Sequence, residues 1–238
     1  MIDPFGWARH SWQRHTGARE SRAIEHPGWP EVTETVHIRP NAAFPRGAEV
    51  RLRPLHRADG ADWRAQRLHD EAHLRHVEPT MPTSWAAAHS PQAWWNHLWY
   101  LGAAARQGVV VPFAIECNGR FAGQITLGNI QHGSVSECWI GYWVFSEMTG
   151  GHLATVACAL GTDHAFRRVG MHRVTATFLP NNAASGRVLF NNGFREEGIA
   201  RRSLHIDGEW RDHHLVALVR DDFPDSCVSR LRAGGVLD

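Results

Sequence analysis

Apolar positions along this chain switch between a period of two and a period near 3.6, and the switches mark out its elements. Between Glu49 and Leu55, Val50, Leu52 and Pro54 alternate with Arg51 and Arg53, which predicts a strand with one buried face. Asp59 stands where a helix N-cap belongs, and the helix is expected to run through Trp63, Arg67 and His69 to about Leu74. HVEPTMPTSW, residues 76–85, reads as loop. Pro91 opens a second helix with Trp94, Trp95, Leu98, Trp99 and Leu101 at core-facing spacing. Val111–Cys117 and Arg120–Asn129 flank the Asn118-Gly119 turn as a hairpin. Cys138–Phe145 carries no charge, as expected of a strand buried on both faces. Gly150-Gly151 turns the chain, and Leu153, Val156, Ala157 and Leu160 start a helix that runs to about Arg168, with Gly170 as its C-cap. A strand from His172 to Phe178, a helix from Asn182 to Asn191 closed by Gly193, and two strands, Arg195–Ile206 and Trp210–Val219, joined at Asp207-Gly208, complete the pattern.

Antiparallel strands, a central strand-helix-strand crossover and a terminal hairpin describe an α/β fold (α+β in some schemes). Its sheet is mixed and mostly antiparallel, of about seven strands, with helices on both faces. The domain is expected over residues 47–223. Residues 1–46 keep neither period, yet carry Trp7, Trp12 and Trp29, so they are expected as an extension whose parts pack on the domain or on a second subunit. Residues 224–238 are expected as a fraying tail, and the protein as a monomer or a homodimer.

Composition narrows the function classes. A net charge of +1 gives no general electrostatic reason to bind nucleic acid or an anionic membrane. There is no apolar run of membrane-spanning length and no secretory h-region, so a cytoplasmic protein is expected. Cys117, Cys138, Cys158 and Cys227 lie far apart, which suggests reduced thiols and neither a disulfide framework nor a metal site. The histidines show no metal-ligand spacing.

The strand, glycine loop and helix between Cys138 and Phe166 carry the candidate chemistry. A helix N-terminus presents unpaired N–H donors and about half a positive charge, so a phosphate placed there is held by backbone. Taken alone, Gly150-Gly151 is equally an ordinary strand-to-helix turn. Glu137, at the entry to the strand, is the nearest carboxylate in sequence and a candidate general base acting through water, or a solvated loop-end side chain.

Five segments stand in one order: IGYWV (140–144), the glycine loop with LAT (153–155), HRVTATFLPNNAAS (172–185), NNGFREEG (191–198) and HIDGEWRDH (205–213). Together they resemble the GNAT superfamily of acyl-CoA-dependent N-acyltransferases, specifically its RimJ/RimL-like branch, which acetylates protein N-termini. The resemblance covers Glu49 to Phe223. It implies that the fourth and fifth strands run parallel and splay apart, and that acetyl-CoA inserts its pantetheine arm between them against Trp143, Val144 and Phe145. The pyrophosphate would rest on Gly150, Gly151, His152, Leu153, Ala154 and Thr155. Asn182 would hold the cofactor arm and Ser185 would protonate sulfur, although Asn182 also suits a helix N-cap and Ser185 a turn. The superfamily's loop usually reads Gln or Arg, two residues, Gly, one residue, then Gly or Ala, positions taken here by Glu147, Gly150 and His152. Ser203 fills the place where some relatives have a tyrosine. The acceptor implied is a protein N-terminus. A small-molecule amine or a lysine is the alternative acceptor, and a non-catalytic GNAT-like module with a degenerate CoA loop is the alternative function.

Overall fold

The computed structural model describes residues 27–222 and 225–238, so Trp7 and Trp12 of the expected extension lie outside the described residues. One eight-stranded sheet, ordered β1-β2-β3-β4-β5-β6-β8-β7, forms the frame. Its strands are β1 (Val36–Ile38), β2 (Ala48–Arg53), β3 (Val110–Cys117), β4 (Arg120–Gln131), β5 (Glu137–Val144), β6 (Arg173–Phe178), β7 (Arg195–Ile206) and β8 (Glu209–Val219). The helices are α1 (Gly60–His69), α2 (Glu71–Leu74), α3 (Trp85–Ala88), α4 (Pro91–Arg106), α5 (Leu153–His164), α6 (Ala183–Asn191) and α7 (Cys227–Ala233).

The layering follows from apolar burial. Strand β3 is buried along its whole length, and α5 lies on one face of the sheet with nearly every side chain buried, packed with Ile125, Leu127, Ile140 and Val174 in the main core. The opposite face carries α1 and α4, whose Trp63 and Trp94 pack with Ala114 and Phe121 in a smaller cluster. Only Trp94 and Leu101 of the α4 set are buried, whereas Trp95 and Trp99 are 45% and 67% exposed. Helical spacing identifies the face, but a stripe this wide runs past what the sheet covers.

Every neighbouring pair of strands is antiparallel except β5-β6, and the exception positions the site. β5 and β6 run parallel and pair only at Glu137↔Arg173, Cys138↔Val174 and Trp139↔Thr175. Beyond Trp139 the two strands splay apart, while β5 stays paired with β4 as far as Val144↔Gly123. Hence one edge of β5 is free over its second half.

The structure departs from the sequence pattern at both ends of the domain. Residues 36–38, placed in the extension by their brevity, form the edge strand β1 in register with β2. Trp29 packs on Leu101, Ala105 and Val110. Residues 227–233 form α7, which buries Cys227, Val228 and Leu231. The Asp163 carboxylate receives the Cys227 and Val228 N–H groups, and Leu237 bridges to Ile38, so this segment is part of the core and does not fray. Asp59 sits at the start of α1 without capping it, because its carboxylate is bound by the buried guanidinium of Arg53 and by the His56 N–H. The helix also stops at His69, with Asp70 in the break before α2.

Candidate active site: a bare helix end beside a splayed strand pair

After β5 the chain makes a short turn through Ser146–Met148 and reaches α5 through Gly150 at φ 81° and His152 at φ 66°. The left-handed conformation suits glycine and strains histidine. Asp70 is buried beneath the turn and receives the Ser146 N–H at 2.8 Å and its hydroxyl, anchoring the loop to the end of α1. A Cβ at Gly151 would lie 2.5 Å from the Phe44 ring, so the segment after β1 forms one wall of the loop.

No side chain caps α5, and the first paired amide is Val156, which donates to the His152 carbonyl at 2.9 Å. Among the described residues, the N–H groups of 150–155 find no protein acceptor. An uncapped turn of this kind suits a diphosphate, which supplies several anionic acceptors at once. Glu147, a possible obstacle on charge grounds, is 67% exposed at its side chain and lies 3.7 Å from His69 instead of over the amides.

The Phe145 N–H donates to Ala122 of β4. Backbone groups alternate sides along a strand, so Trp143 likewise faces β4, while Tyr142 and Val144 turn theirs to the cleft. Of the three residues expected along the cofactor arm, Val144 meets that geometry through its backbone; Tyr142 joins it, and Trp143 and Phe145 do not. The Trp143 ring instead packs by Phe121 and lies 5.1 Å under the Arg67 guanidinium.

At the head of α6, Asn182 Oδ1 receives the Ser185 N–H at 3.2 Å, so the Asn182 N-cap does form. The Tyr142 hydroxyl lies 3.3 Å from both the carbonyl oxygen and Oγ of Ser185. These three residues come together at the mouth of the splayed strands. Glu137 does not join them. It precedes Trp143 by six positions, about 20 Å of strand, and its carboxylate accepts from Arg173 Nε at 2.8 Å. The geometry places Glu137 in an ion pair at the closed end of the strands.

Two groups that the sequence pattern gave no sign of wall the other side. The Arg67 guanidinium holds Glu78 in a bidentate pair and donates from Nε to His89 Nε2 at 3.0 Å. Burial, with the Arg67 charge, pushes His89 down to about 4, so the imidazole is neutral and its Nδ1–H donates to the Trp85 carbonyl. Farther out, the loop after α2 is stitched to the β7-β8 hairpin. Pro79 bridges Ile206, the Thr80 N–H donates to the His205 carbonyl at 2.8 Å, and Arg75 and His76 both bind Asp207. Ser203 pairs with His213 at 3.2 Å, and burial pushes the His213 imidazole down.

A bare helix end following a strand whose free edge faces a splayed partner suits a ligand that carries a phosphate at one end and an extended arm at the other. Residues 49–195 match the acetyltransferase (GNAT) domain, and the chain belongs to the GNAT acetyltransferase family. It is similar to the structure of Mycobacterium smegmatis RimJ in complex with CoA-disulfide, at 43% identity and a TM-score of 0.85, over 90% of this chain and 99% of that one. It is 31% identical over 135 residues to the ribosomal protein uS5 alanine N-acetyltransferase of Escherichia coli, covering 56% of this chain and 70% of that protein. It is 37% identical over 103 residues to the probable N-acetyltransferase YjcK of Bacillus subtilis, covering 43% of this chain and 57% of that protein. Among the described residues, no helix is long and apolar enough to cross a membrane.

Proposed function

We propose that this protein is an acetyl-CoA-dependent N-acetyltransferase acting on the N-terminal α-amine of a protein, with a ribosomal protein as the acceptor. The observation that carries the reading is the run of amides at 150–155 without an acceptor among the described residues, set beside the free edge of β5. These amides would receive the diphosphate, and the backbone of Tyr142 and Val144 would pair with the pantetheine arm. When bound, acetyl-CoA supplies the acetyl group as a thioester.

The residues present suit an acceptor that needs little activation. An α-amine titrates near 8, against about 10.4 for lysine, so a useful fraction is neutral without a dedicated base. That agrees with Glu137 being occupied by Arg173. Positioning then supplies most of the rate, and Ser185, whose N–H is held by Asn182 and whose Oγ lies 3.3 Å from the Tyr142 hydroxyl, would supply the proton for the departing sulfur. The stitched loop and hairpin favour an extended chain end over a bulky folded surface, which supports a protein N-terminus above an internal lysine. The reading also implies a cytoplasmic protein, where ribosomal proteins are made. A non-catalytic module with a degenerate loop has less support, because the exposed Glu147 side chain lies 3.7 Å from His69 and a cradle of backbone amides does not depend on the side chain at 152.

Thermal unfolding tests the binding step. At a hundredfold excess over the dissociation constant, acetyl-CoA should add about 2.7 kcal/mol of stability. No shift at millimolar acetyl-CoA would overturn the proposal. With binding established, thiol release should be faster with N-terminal peptides of ribosomal proteins than with the same peptides blocked at the α-amine and bearing a free lysine. The reverse order would move the acceptor to lysine.

A further inference from the structure

Tyr142 lies on the strand that borders the cleft, yet its ring turns into the main core and its hydroxyl reaches α6. The contact is unusual for Ser185. A serine in the first turns of a helix commonly folds its hydroxyl back onto a carbonyl three or four residues earlier. Here the Asn182 carbonyl is already taken by the Gly186 N–H, and among the described residues the only hydrogen-bond partner of Ser185 Oγ is the Tyr142 hydroxyl. Desolvation by burial pushes the Tyr142 phenol well up, so it keeps its proton at any physiological pH. A neutral phenol has one proton to give and can share it between the Ser185 carbonyl oxygen and Oγ, both 3.3 Å away. When the phenol's proton goes to Oγ, the serine's own O–H has no protein acceptor among the described residues and is left for a ligand in the cleft.

We propose that Tyr142 is a positioning residue of the transfer reaction: its hydroxyl donates to Ser185 Oγ and holds the serine proton toward the cleft between β5 and β6, where the sulfur of CoA receives it. This rests on the acetyl-CoA reading above. The proton count closes. The amine loses one proton in becoming an amide, the sulfur gains one as its bond to the acetyl carbon breaks, and Ser185 carries the charge balance by giving its proton to sulfur and regaining one from the acetylated nitrogen through water. Tyr142 itself loses no proton.

The test uses Tyr142→Phe, Ser185→Ala and the double variant in the full chain. Phe keeps the ring that packs on the core and removes only the hydroxyl. Calorimetry should show acetyl-CoA affinity within about threefold of wild type for all three. Tyr142→Phe should lower kcat about tenfold at unchanged KM for acetyl-CoA, Ser185→Ala about a hundredfold, and the double variant no more than Ser185→Ala alone. A readout apart from turnover is the thiolate absorbance of bound CoA titrated against pH. A hydroxyl donor stabilises the thiolate, so the bound thiol should titrate about half a unit to one unit higher in Tyr142→Phe than in wild type. A purely structural tyrosine would lower the melting temperature and leave that titration unmoved. Wild-type kcat with an unmoved thiol titration, or a Tyr142→Phe loss that adds in full to that of Ser185→Ala, would overturn the role of Tyr142 while leaving the acetyltransferase reading standing. If wild type binds no acetyl-CoA, both fall together.

Discussion

The N-termini of α4 and α5 are built from opposite instructions. At α4, Pro91 occupies the first turn and Ser90 Oγ receives the Ala93 N–H at 3.2 Å. Beneath that helix the polar groups are also paired, His97 Nε2 with Gln124 Oε1 at 3.1 Å and Gln124 with Thr126. At α5 no side chain caps the helix, the entry residue is a histidine in a left-handed conformation, and the first amides have no acceptor among the described residues. A helix end without partners weakens the folded state unless water or a ligand completes it. A closed terminus is a device for stability, and an open one leaves donors that an anion can satisfy.

The contrast can be broken or sharpened by experiment, and the largest effect belongs to the closed side. Burial holds His89 and His97 down at about 4, against 6.5 when exposed. The unfolded chain therefore binds more protons between those values, so the stability these residues contribute is complete above pH 6.5 and is lost as pH falls toward 4. The loss should be about 3 kcal/mol for each of the two rings. Denaturant titrations across that window should show it, and His97→Gln should make the acid limb shallower. A flat limb would mean that the two rings take up protons as readily in the folded chain as in the unfolded one.

On the open side, Ala154→Glu places a carboxylate among the free amides. Acetyl-CoA binding should weaken about a hundredfold, whereas the unliganded protein should hold its melting temperature or gain slightly from the helix dipole. Equal losses in both measurements would mean that the open end serves no ligand. Ser90→Ala should do the converse, with about 1 kcal/mol of stability lost and acetyl-CoA affinity unchanged. The smallest change is His152→Gly. Relief of the left-handed strain should stabilise the chain by about 0.5 kcal/mol, net of the added chain entropy, with binding equal or tighter. Weaker binding in this variant would give the imidazole a direct part in holding the phosphates.

Much of this arrangement is legible in the residue pattern, because the elements around the cleft are long and strongly periodic. The β7-β8 hairpin was expected at Arg195–Ile206 and Trp210–Val219 and stands at Arg195–Ile206 and Glu209–Val219. The brief splayed pairing of β5 and β6 follows the family resemblance. Short elements escaped notice: β1 has three residues, too few to show a period, and α7 hides its apolar positions among serine and arginine. The side chains that finish the site were harder to read. Nearness in sequence pointed to Glu137, but strand geometry carries it to the far end of β5. Nothing local distinguishes Asp70 or Arg67, since each acquires its role from a partner that arrives only when the chain folds. Tyr142 lay in plain view within IGYWV, yet its alternation marked it only as apolar strand.

Phe44 rests on Gly151, β1 precedes it by a few residues, and β1 is held in turn by Leu237 and by the Asp238 N–H bonded to the His37 carbonyl. Leu237 and Asp238 thus brace a wall of the glycine loop at second hand. Substitutions in 237–238 should therefore alter cofactor affinity without touching any residue of the cleft.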